Sequence, residues 1–340
     1  MVELVLRDDE IVSVQRLLDE IAGRFDSVED PGFLREARLL AHELPRRLRA
    51  AIVDFGAEEP ASGVLLISGY QVEEERLGPT PASWSLRTVP SPSGREELYL
   101  CLLGELLGRP IAWSTQQNGY LVHDILPMKG YEHEQLGSGS EELLWWHTED
   151  AFHQYRGDYL GMMCLRNPDG VATTVGTLDG IRLDPEVVRI LFEPHFTIRP
   201  DESHLPKNRA PEQEVDGALA TSYQGIEQQR QAPEKVAVLF GSREAPYMRL
   251  DPFFMDRLSD EPEAQAALDA LVRAVDEHLQ DLVLRPGDTC FIDNYRAVHG
   301  RKPFSARYDG RDRWLKRINV ACDLRKSRDK RASAASRLLQ

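Results

Sequence analysis

The sequence predicts an α+β chain with a mainly β core, in which helices flank a curled antiparallel sheet. Three observations carry this expectation. Helical periodicity dominates before position 110, short strand-like runs separated by turn residues take over from 157 onward, and one amphipathic segment at 259 to 282 interrupts those runs.

Taken in order, residues 8 to 25 place Ile11, Val14, Leu17, Leu18 and Ile21 at helical intervals, and a second helical stretch over about 32 to 53 carries Leu39, Leu40, Leu44 and Leu48. Both read as packing helices. Ser62 to Gly69 is a short apolar run bounded by glycines, which reads as a buried strand, and a further helix is expected at roughly 95 to 108. Strands are then expected at 158–166, 171–178, 246–250, 289–293 and 314–322, the fourth introduced by the turn Arg285-Pro286-Gly287-Asp288. Within 259–282, Ser259 can cap a helix, Pro262 fits its first turn, and Ala267, Leu268, Leu271, Val272, Val275, Leu279 and Leu282 form an apolar stripe against the sheet.

Segments 125–142 and 203–235 are rich in glycine, glutamate, proline or glutamine and lack periodicity, so they are expected as lids over a site. No repeat and no long polar linker divides the chain. A single domain over 1–340 is expected, helical over about 1–110 and with its β core over about 110–325.

With 41% hydrophobic residues in 340, the chain can bury a substantial core. A net charge of −15 argues against a nucleic-acid partner. The one basic cluster, Arg325 to Arg337, reads as a solvated helix or tail. Cys101, Cys164, Cys290 and Cys322 have neither zinc-knuckle nor disulfide-framework spacing and read as buried thiols in a reducing compartment. No signal-like N-terminus or membrane-length apolar run is visible, so a cytoplasmic protein without a membrane partner is expected. Oligomeric state is not encoded in any pattern here.

The chemistry concentrates in His147-Thr148-Glu149, answered by His299 and then Arg313. In an extended segment residues i and i+2 project to one side, so His147 and Glu149 can grip one ion. His299 is expected just past the end of the strand at 289–293. Two imidazoles and a carboxylate hold non-haem Fe(II) on one face and leave the other positions open. Arg313 then has a use, because a 2-oxo acid chelated on such an ion needs a fixed cation for its far carboxylate, and a guanidinium matches a carboxylate with two parallel bonds. Zinc also accepts this donor set, but hydrolysis gives the arginine no purpose. A non-catalytic module clamped by a metal is the alternative from another class. His123, His133 and His153 are assigned to loops or to the surroundings of the site, not to the metal.

The order His-x-Glu, late His, then Arg, together with the runs WWHTEDAFH (145–153) and YLGMMCLRNPDG (159–170), resembles the Fe(II)/2-oxoglutarate oxygenases of the clavaminate synthase-like family. Within it the chain is most similar to the free-amino-acid hydroxylases, especially the L-arginine and enduracididine β-hydroxylases of antibiotic pathways. The similarity runs over about 60–327 and is tightest at 113–170 and 285–327. It implies a double-stranded β-helix (jelly roll) with flanking helices, an enzyme using Fe(II), 2-oxoglutarate and O2, and a cationic amino-acid substrate. L-arginine hydroxylated at the β-carbon is the leading expectation, with a second hydroxylation at the γ-carbon left open. Enduracididine, lysine or a carrier-bound amino acid is the alternative.

Residue by residue, the resemblance implies His147, Glu149 and His299 as metal ligands. It implies Arg313 on the distal carboxylate of 2-oxoglutarate with help from Thr174, Thr173 being the adjacent candidate. Arg317 matches the arginine that meets the substrate α-carboxylate; four residues beyond Arg313, it shares a face with it in a strand, though an outward arginine there would be ordinary. Gln116, with Gln117 as competitor, matches the acceptor of the α-amine, Glu149 assisting. Asp251 matches the carboxylate for the guanidinium, its other reading being a turn aspartate before Pro252. Phe253 departs from a pattern in which a second carboxylate can stand there, and suits a guanidinium through cation–π contact instead. Asp150 either hydrogen-bonds behind the ligands or caps the following turn.

Overall fold

Eight consecutive residues, Tyr159–Arg166, are all buried, which an antiparallel strand permits only if both its faces are covered. The computed structural model describes residues 1–60 and 62–340 and supplies both covers. The strands that matter here are β1 (Val2–Val5), β2 (Val64–Ser68), β3 (Arg109–Trp113), β4 (His123–Ile125), β5 (Leu144–His147), β6 (Tyr159–Arg166), β7 (Thr173–Thr177), β8 (Gln280–Leu282), β9 (Thr289–Asp293), β10 (Ala297–Arg301), β11 (Trp314–Ala321) and β12 (Leu338–Leu339). The larger sheet runs β1-β2-β9-β6-β11-β3-β12, with β4 also paired to β11, and the smaller runs β8-β7-β10-β5. All pairs are antiparallel except β1 with β2 and β3 with β12.

Strand alternation decides which residues go where. Leu160, Met162 and Cys164 of β6, Cys290 and Ile292 of β9 and Leu315 of β11 share one cluster with Val175 of β7, Leu282 of β8 and Ala297 of β10, which is the layer between the two sheets. The intervening residues Tyr159, Met163, Leu165, Phe291, Ile318 and Val320 face away from it and join the helices. Those helices are α1 (Asp8–Ala22), α2 (Pro31–Ala41), α3 (Arg46–Glu58) and α4 (Gly94–Leu107). Helix α4 is buried from Glu96 to Glu105, because it lies between the large sheet and the other three. Outside the smaller sheet, Trp146 and Val298 pack with Leu268, Leu271 and Val275 of the helix Pro262–Asp276.

One charged group is enclosed between α4 and the large sheet. Lys316 is 1% exposed at its side chain and lies 2.9 Å from Glu97 and 2.5 Å from Asp124. Asp124 also accepts from Trp314 Nε1 at 2.6 Å. Burial pushes the Glu97 carboxyl up, but the charges of Lys316 and Arg87 outweigh it and hold the group below its ordinary value.

Several expectations are corrected. The stretch 32–53 is two helices, α2 and α3, because Pro45 has no N–H to donate and disfavours helix in the residue before it; Leu39 is exposed. The helix expected over 259–282 spans Pro262–Asp276 with Glu261 at its N-cap. Ser259 contacts Asp260 instead, and Gln280–Leu282 leaves the helix to pair with β7. Segment 203–235 contains the helix Gly217–Gln231, capped by Asp216, whose weak amphipathy hid it. Of the basic C-terminal cluster, Arg331 and Arg337 are buried: the first donates to four backbone carbonyls, the second to Glu105. Cys322 is exposed, unlike the other three cysteines. Among the described residues no helix is long and apolar enough to cross a membrane.

Replacing Lys316 with Met leaves buried Asp124 without an ion-pair partner among the described residues and leaves Glu97 only Arg87, a change expected to cost on the order of 3–5 kcal/mol. Urea unfolding at neutral pH checks this, and the loss should shrink in acid, where Glu97 takes up a proton and loses its attraction to Lys316 in the parent as well. The sign follows from Glu97: a depressed carboxyl stabilises above its ordinary range and loses that contribution as pH falls below it.

Candidate metal centre and active site

Strands β5 and β10 pair so that His147 stands directly opposite His299. Their ring centroids are 4.6 Å apart. His299 is therefore in mid-strand, not just past a strand end as expected, because the turn at Asn294–Arg296 reverses the chain and 297–301 forms a strand of its own. Beyond His147, Thr148 N–H donates to the Leu250 carbonyl at 2.7 Å and its hydroxyl accepts from Leu250 N–H at 3.1 Å, which keeps the segment extended. Glu149 consequently returns to the side of His147. Its Oε2 lies 3.7 Å from His147 Nε2 and 3.3 Å from His299 Nε2.

The side-chain chemistry fits a divalent metal. His147 Nδ1 donates to the Trp145 carbonyl at 2.8 Å, so in the neutral ring that binds a metal the lone pair is on Nε2. Glu149 Oε2 is buried without a hydrogen-bond donor, and one donor atom from each of the three residues lies within 4.8 Å of the others. Burial pushes the Glu149 carboxyl up, but Arg317 and the imidazoles outweigh it and hold it well below its ordinary value, so it is anionic. Asn294 brackets the ligand: its Oδ1 accepts from Glu149 N–H at 2.8 Å, and its Nδ2 donates to the carbonyls of Glu149 at 3.0 Å and Gly157 at 2.8 Å.

Arg313 opens onto the same pocket. It is buried, its Nε has no partner, and among the described residues it forms no ion pair. Its one side-chain hydrogen bond goes to Thr173 Oγ1 at 3.3 Å. Burial lowers the guanidinium to about 10, which still leaves it charged. An unpaired buried cation costs on the order of several kcal/mol, so the site is built for an anion. Thr174, the residue expected beside Arg313, is displaced from that place by Thr173. Alternation sends Thr173 and Val175 inward and turns Thr174 toward the outer face, where Gly176 packs near Val275 and Leu279.

Arg317 points inward as the spacing from Arg313 implies. It pairs with Glu149 Oε1, and its other arm donates to His123 Nδ1 at 2.9 Å. Gln116 is buried; its Nε2 donates to Ser203 Oγ at 2.6 Å and more weakly to Asp150, which leaves Oε1 without a donor. Gln117 is excluded from the pocket's chemistry because its amide clasps the backbone of Asp124 through two 2.9 Å bonds. Asp251 lines the pocket, and burial raises its carboxyl to about 6. It also accepts from Phe254 N–H at 3.3 Å, as a turn aspartate does, while its carboxyl lies on the pocket wall. Phe253 is half exposed at the pocket's edge.

Asp150 lies behind the ligands. The chain turns there with φ of +50°, and its carboxylate accepts from Trp113 Nε1 at 2.7 Å, Asn319 Nδ2 at 3.2 Å and His204 Nε2 at 3.0 Å. His204 is fully buried and reaches Thr115 at 2.7 Å with its other nitrogen. This bond pins the loop that brings Asp201 and Ser203 to the pocket wall. Opposite, Arg301 donates to the carbonyls of Gly139 and Glu142 and ties down segment 125–142, whose Gln135, Leu136 and Gly137 form another part of the wall. His153 accepts from Tyr155 N–H and meets Trp113 edge-on, while His133 is exposed beside Glu142, so neither reaches the metal ligands.

A model of the taurine catabolism dioxygenase TauD, TfdA family matches residues 206–319. Across 100% of both sequences the chain is 48% identical to the enduracididine β-hydroxylase of Streptomyces hygroscopicus, and 44% identical to the L-ornithine/L-arginine 3-hydroxylase of Catenulispora acidiphila. The chain belongs to the TauD/TfdA family of dioxygenases. Among solved structures, the non-haem iron oxygenase OrfP in complex with iron, succinate and (3S)-hydroxy-L-arginine is similar to this dioxygenase with a TM-score of 0.95 at 46% identity, covering 100% of each chain.

Sequence reasoning about this dioxygenase missed Asn294, Asp201, Ser203 and His204. For Asn294 a signal existed, an Asp-Asn pair closing a strand three residues ahead of the next one; for the others, on an aperiodic segment, there was none. Asn294→Ala removes the bracket on a metal ligand and is expected to weaken Fe(II) binding about 10- to 100-fold. Anaerobic Fe(II) titration checks this, and unchanged affinity would remove Asn294 from the design of the centre.

Proposed function

We propose that the protein is an Fe(II)/2-oxoglutarate-dependent hydroxylase of a free cationic amino acid, with L-arginine hydroxylated at the β-carbon as its reaction, in a cytoplasmic antibiotic pathway. We further read residues 1–340 as one domain, with the two facing sheets as the layers of a double-stranded β-helix. The observation that carries the functional reading is Arg313: a buried cation without a carboxylate partner, opening onto the pocket of a two-His, one-Glu cluster. Full-length similarity to arginine and enduracididine hydroxylases supports the substrate class.

His147, Glu149 and His299 would hold Fe(II), which with 2-oxoglutarate and O2 supplies the chemistry that breaks an unactivated C–H bond. The protein's own residues do the rest. Arg313, with Thr173 fixing one arm, takes the distal carboxylate of the cosubstrate through a planar fork. Arg317 takes the substrate α-carboxylate, and the free Oε1 of Gln116 accepts from the α-ammonium. Asp251 supplies the charge for the guanidinium, with Phe253 as an aromatic wall. Holding both ends of the amino acid fixes which carbon faces the metal, and Leu136, Gly137 and Ser203 complete the wall around it.

A cyclised guanidine such as enduracididine is the second reading, favoured by the 48% identity to its hydroxylase and by Phe253 in place of another carboxylate. Assays of succinate release coupled to loss of each amino acid separate the two. Release with L-arginine is expected; release only with another amine, or none that depends on Fe(II), rejects the first reading. In the same assay Arg313→Met should raise the half-saturating 2-oxoglutarate concentration about 100-fold, since a charge-assisted bidentate contact is lost.

The Asp251 carboxyl at about 6 gives a pH dependence. Below that value the group is neutral and no longer attracts a guanidinium, so KM for L-arginine is expected to rise about tenfold per pH unit as pH falls beneath 6. Asp251→Asn should have a high KM without that slope.

A further inference from the structure

We infer that His123 is a positioning residue for substrate recognition: it holds one arm of the Arg317 guanidinium in a fixed plane, so that Arg317 can read a carboxylate instead of collapsing onto the metal ligand Glu149. This rests on the reading of the chain as an amino-acid hydroxylase with Arg317 on the substrate α-carboxylate.

The geometry begins with strand register. His123 of β4 stands directly opposite Arg317 of β11, and both project toward the interior. Arg317 gives one arm to Glu149 Oε1 and the other to His123 Nδ1 at 2.9 Å. A guanidinium only donates, so Nδ1 must carry its lone pair and the imidazole proton must sit on Nε2. Burial and the neighbouring guanidinium both hold His123 well below its ordinary titration range, which keeps it neutral and a permanent acceptor.

Without that acceptor, the planar fork of Arg317 has an obvious alternative: both arms can turn onto the two oxygens of buried Glu149. Such a bidentate pair would occupy the oxygen needed at the metal and turn the plane of the remaining N–H donors away from the orientation that His123 fixes. His123 removes this alternative by taking one arm away. Its own place is secured from the opposite face of β4, where Asp124 is held by Lys316 Nζ, Trp314 Nε1 and the Gln117 amide.

A second observation ties His123 to the substrate side. A small cavity adjoining the main pocket is lined by His123, Gln116, Ser203 and Arg317. Two atoms of this lining, His123 Nε2 and Gln116 Oε1, are buried without partners. One donor, one acceptor and one cation on a shared wall match the charged end of an α-amino acid, whose carboxylate accepts and whose ammonium donates.

The test uses three variants and two ligands. Asn at this position keeps an acceptor where Nδ1 stands, Gln keeps a donor near Nε2 but not that acceptor, and Phe keeps neither. Binding of L-arginine and of agmatine, which has the guanidinium but no carboxylate, is measured by calorimetry on the full-length Fe(II)-loaded protein without oxygen, alongside KM and kcat. His123→Phe and His123→Gln are expected to weaken L-arginine about tenfold or more, the scale of a hydrogen bond to a charged group, with kcat within about threefold of the parent. Agmatine binding should stay within about twofold in every variant, and His123→Asn should retain the preference for L-arginine. Equal losses for both ligands, no loss for L-arginine, or an Asn variant as weak as the Phe variant each overturn the inference. Should His123→Phe fail to fold, the comparison of Asn with Gln decides the same question, an Asn variant as weak as the Gln variant overturning the inference. If the parent protein binds neither ligand, the proposed substrate class fails instead, which is a separable outcome.

Discussion

The constraint on which the rest depends is the burial of one carboxylate, Glu149, among groups that can only be tolerated together. An anion in a low-dielectric interior requires compensation, and the protein supplies Arg317 on one oxygen while two imidazoles face the other. This grouping in turn dictates the sheet: β5 must pair with β10 to oppose His147 and His299, and β11 must place Arg317 on the inner face. Removing any one partner leaves the others exposed to the full cost of desolvation. The site is thus as much an electrostatic balance as a ligand set.

That balance is reinforced from the rear of each strand. Asn294 holds the backbone of Glu149, Asp150 collects three strong donors from β3, β11 and the loop at 204, and Lys316 with Glu97 and Asp124 ties β4, β11 and α4 together. The contacts of Asn294 and Lys316 lie away from the pocket, whereas Asp150 reaches its wall beside Gln116. Together they make the inward-facing side chains rigid, which is what a reaction sensitive to the placement of a single C–H bond demands. Because successive residues of a strand face opposite ways, Lys316 can anchor the outer side of β11 while Arg317 faces inward.

The parts legible in the sequence were those with local signatures. The i, i+2 spacing of His147 and Glu149, the four-residue interval from Arg313 to Arg317, and the periodicity of α1 and of the helix at 262–276 all declared themselves, since each is a property of a single element. What stayed hidden depends on partners distant in the chain. Nothing near Thr173 and Thr174 says which of them faces Arg313, because that follows from the parity of β7 against β8 and β10. Likewise Gln116 and Gln117 look equivalent until Asp124 claims the second. The helix at 217–231 escaped notice because its polar, weakly amphipathic sequence is ordered by its cap and a few packed residues, not by a stripe.

The division of labour between strands and loops has an evolutionary corollary. Groups facing the metal and cosubstrate are contributed by β5, β7, β10 and β11 or the residues adjoining them, whereas the far wall comes from connecting segments around 135–137, 201–203 and 251–254. Segments of the second kind tolerate replacement without disturbing strand pairing. A lineage could therefore retarget this scaffold to side chains of new length or charge by exchanging three short stretches, leaving the oxidative engine untouched.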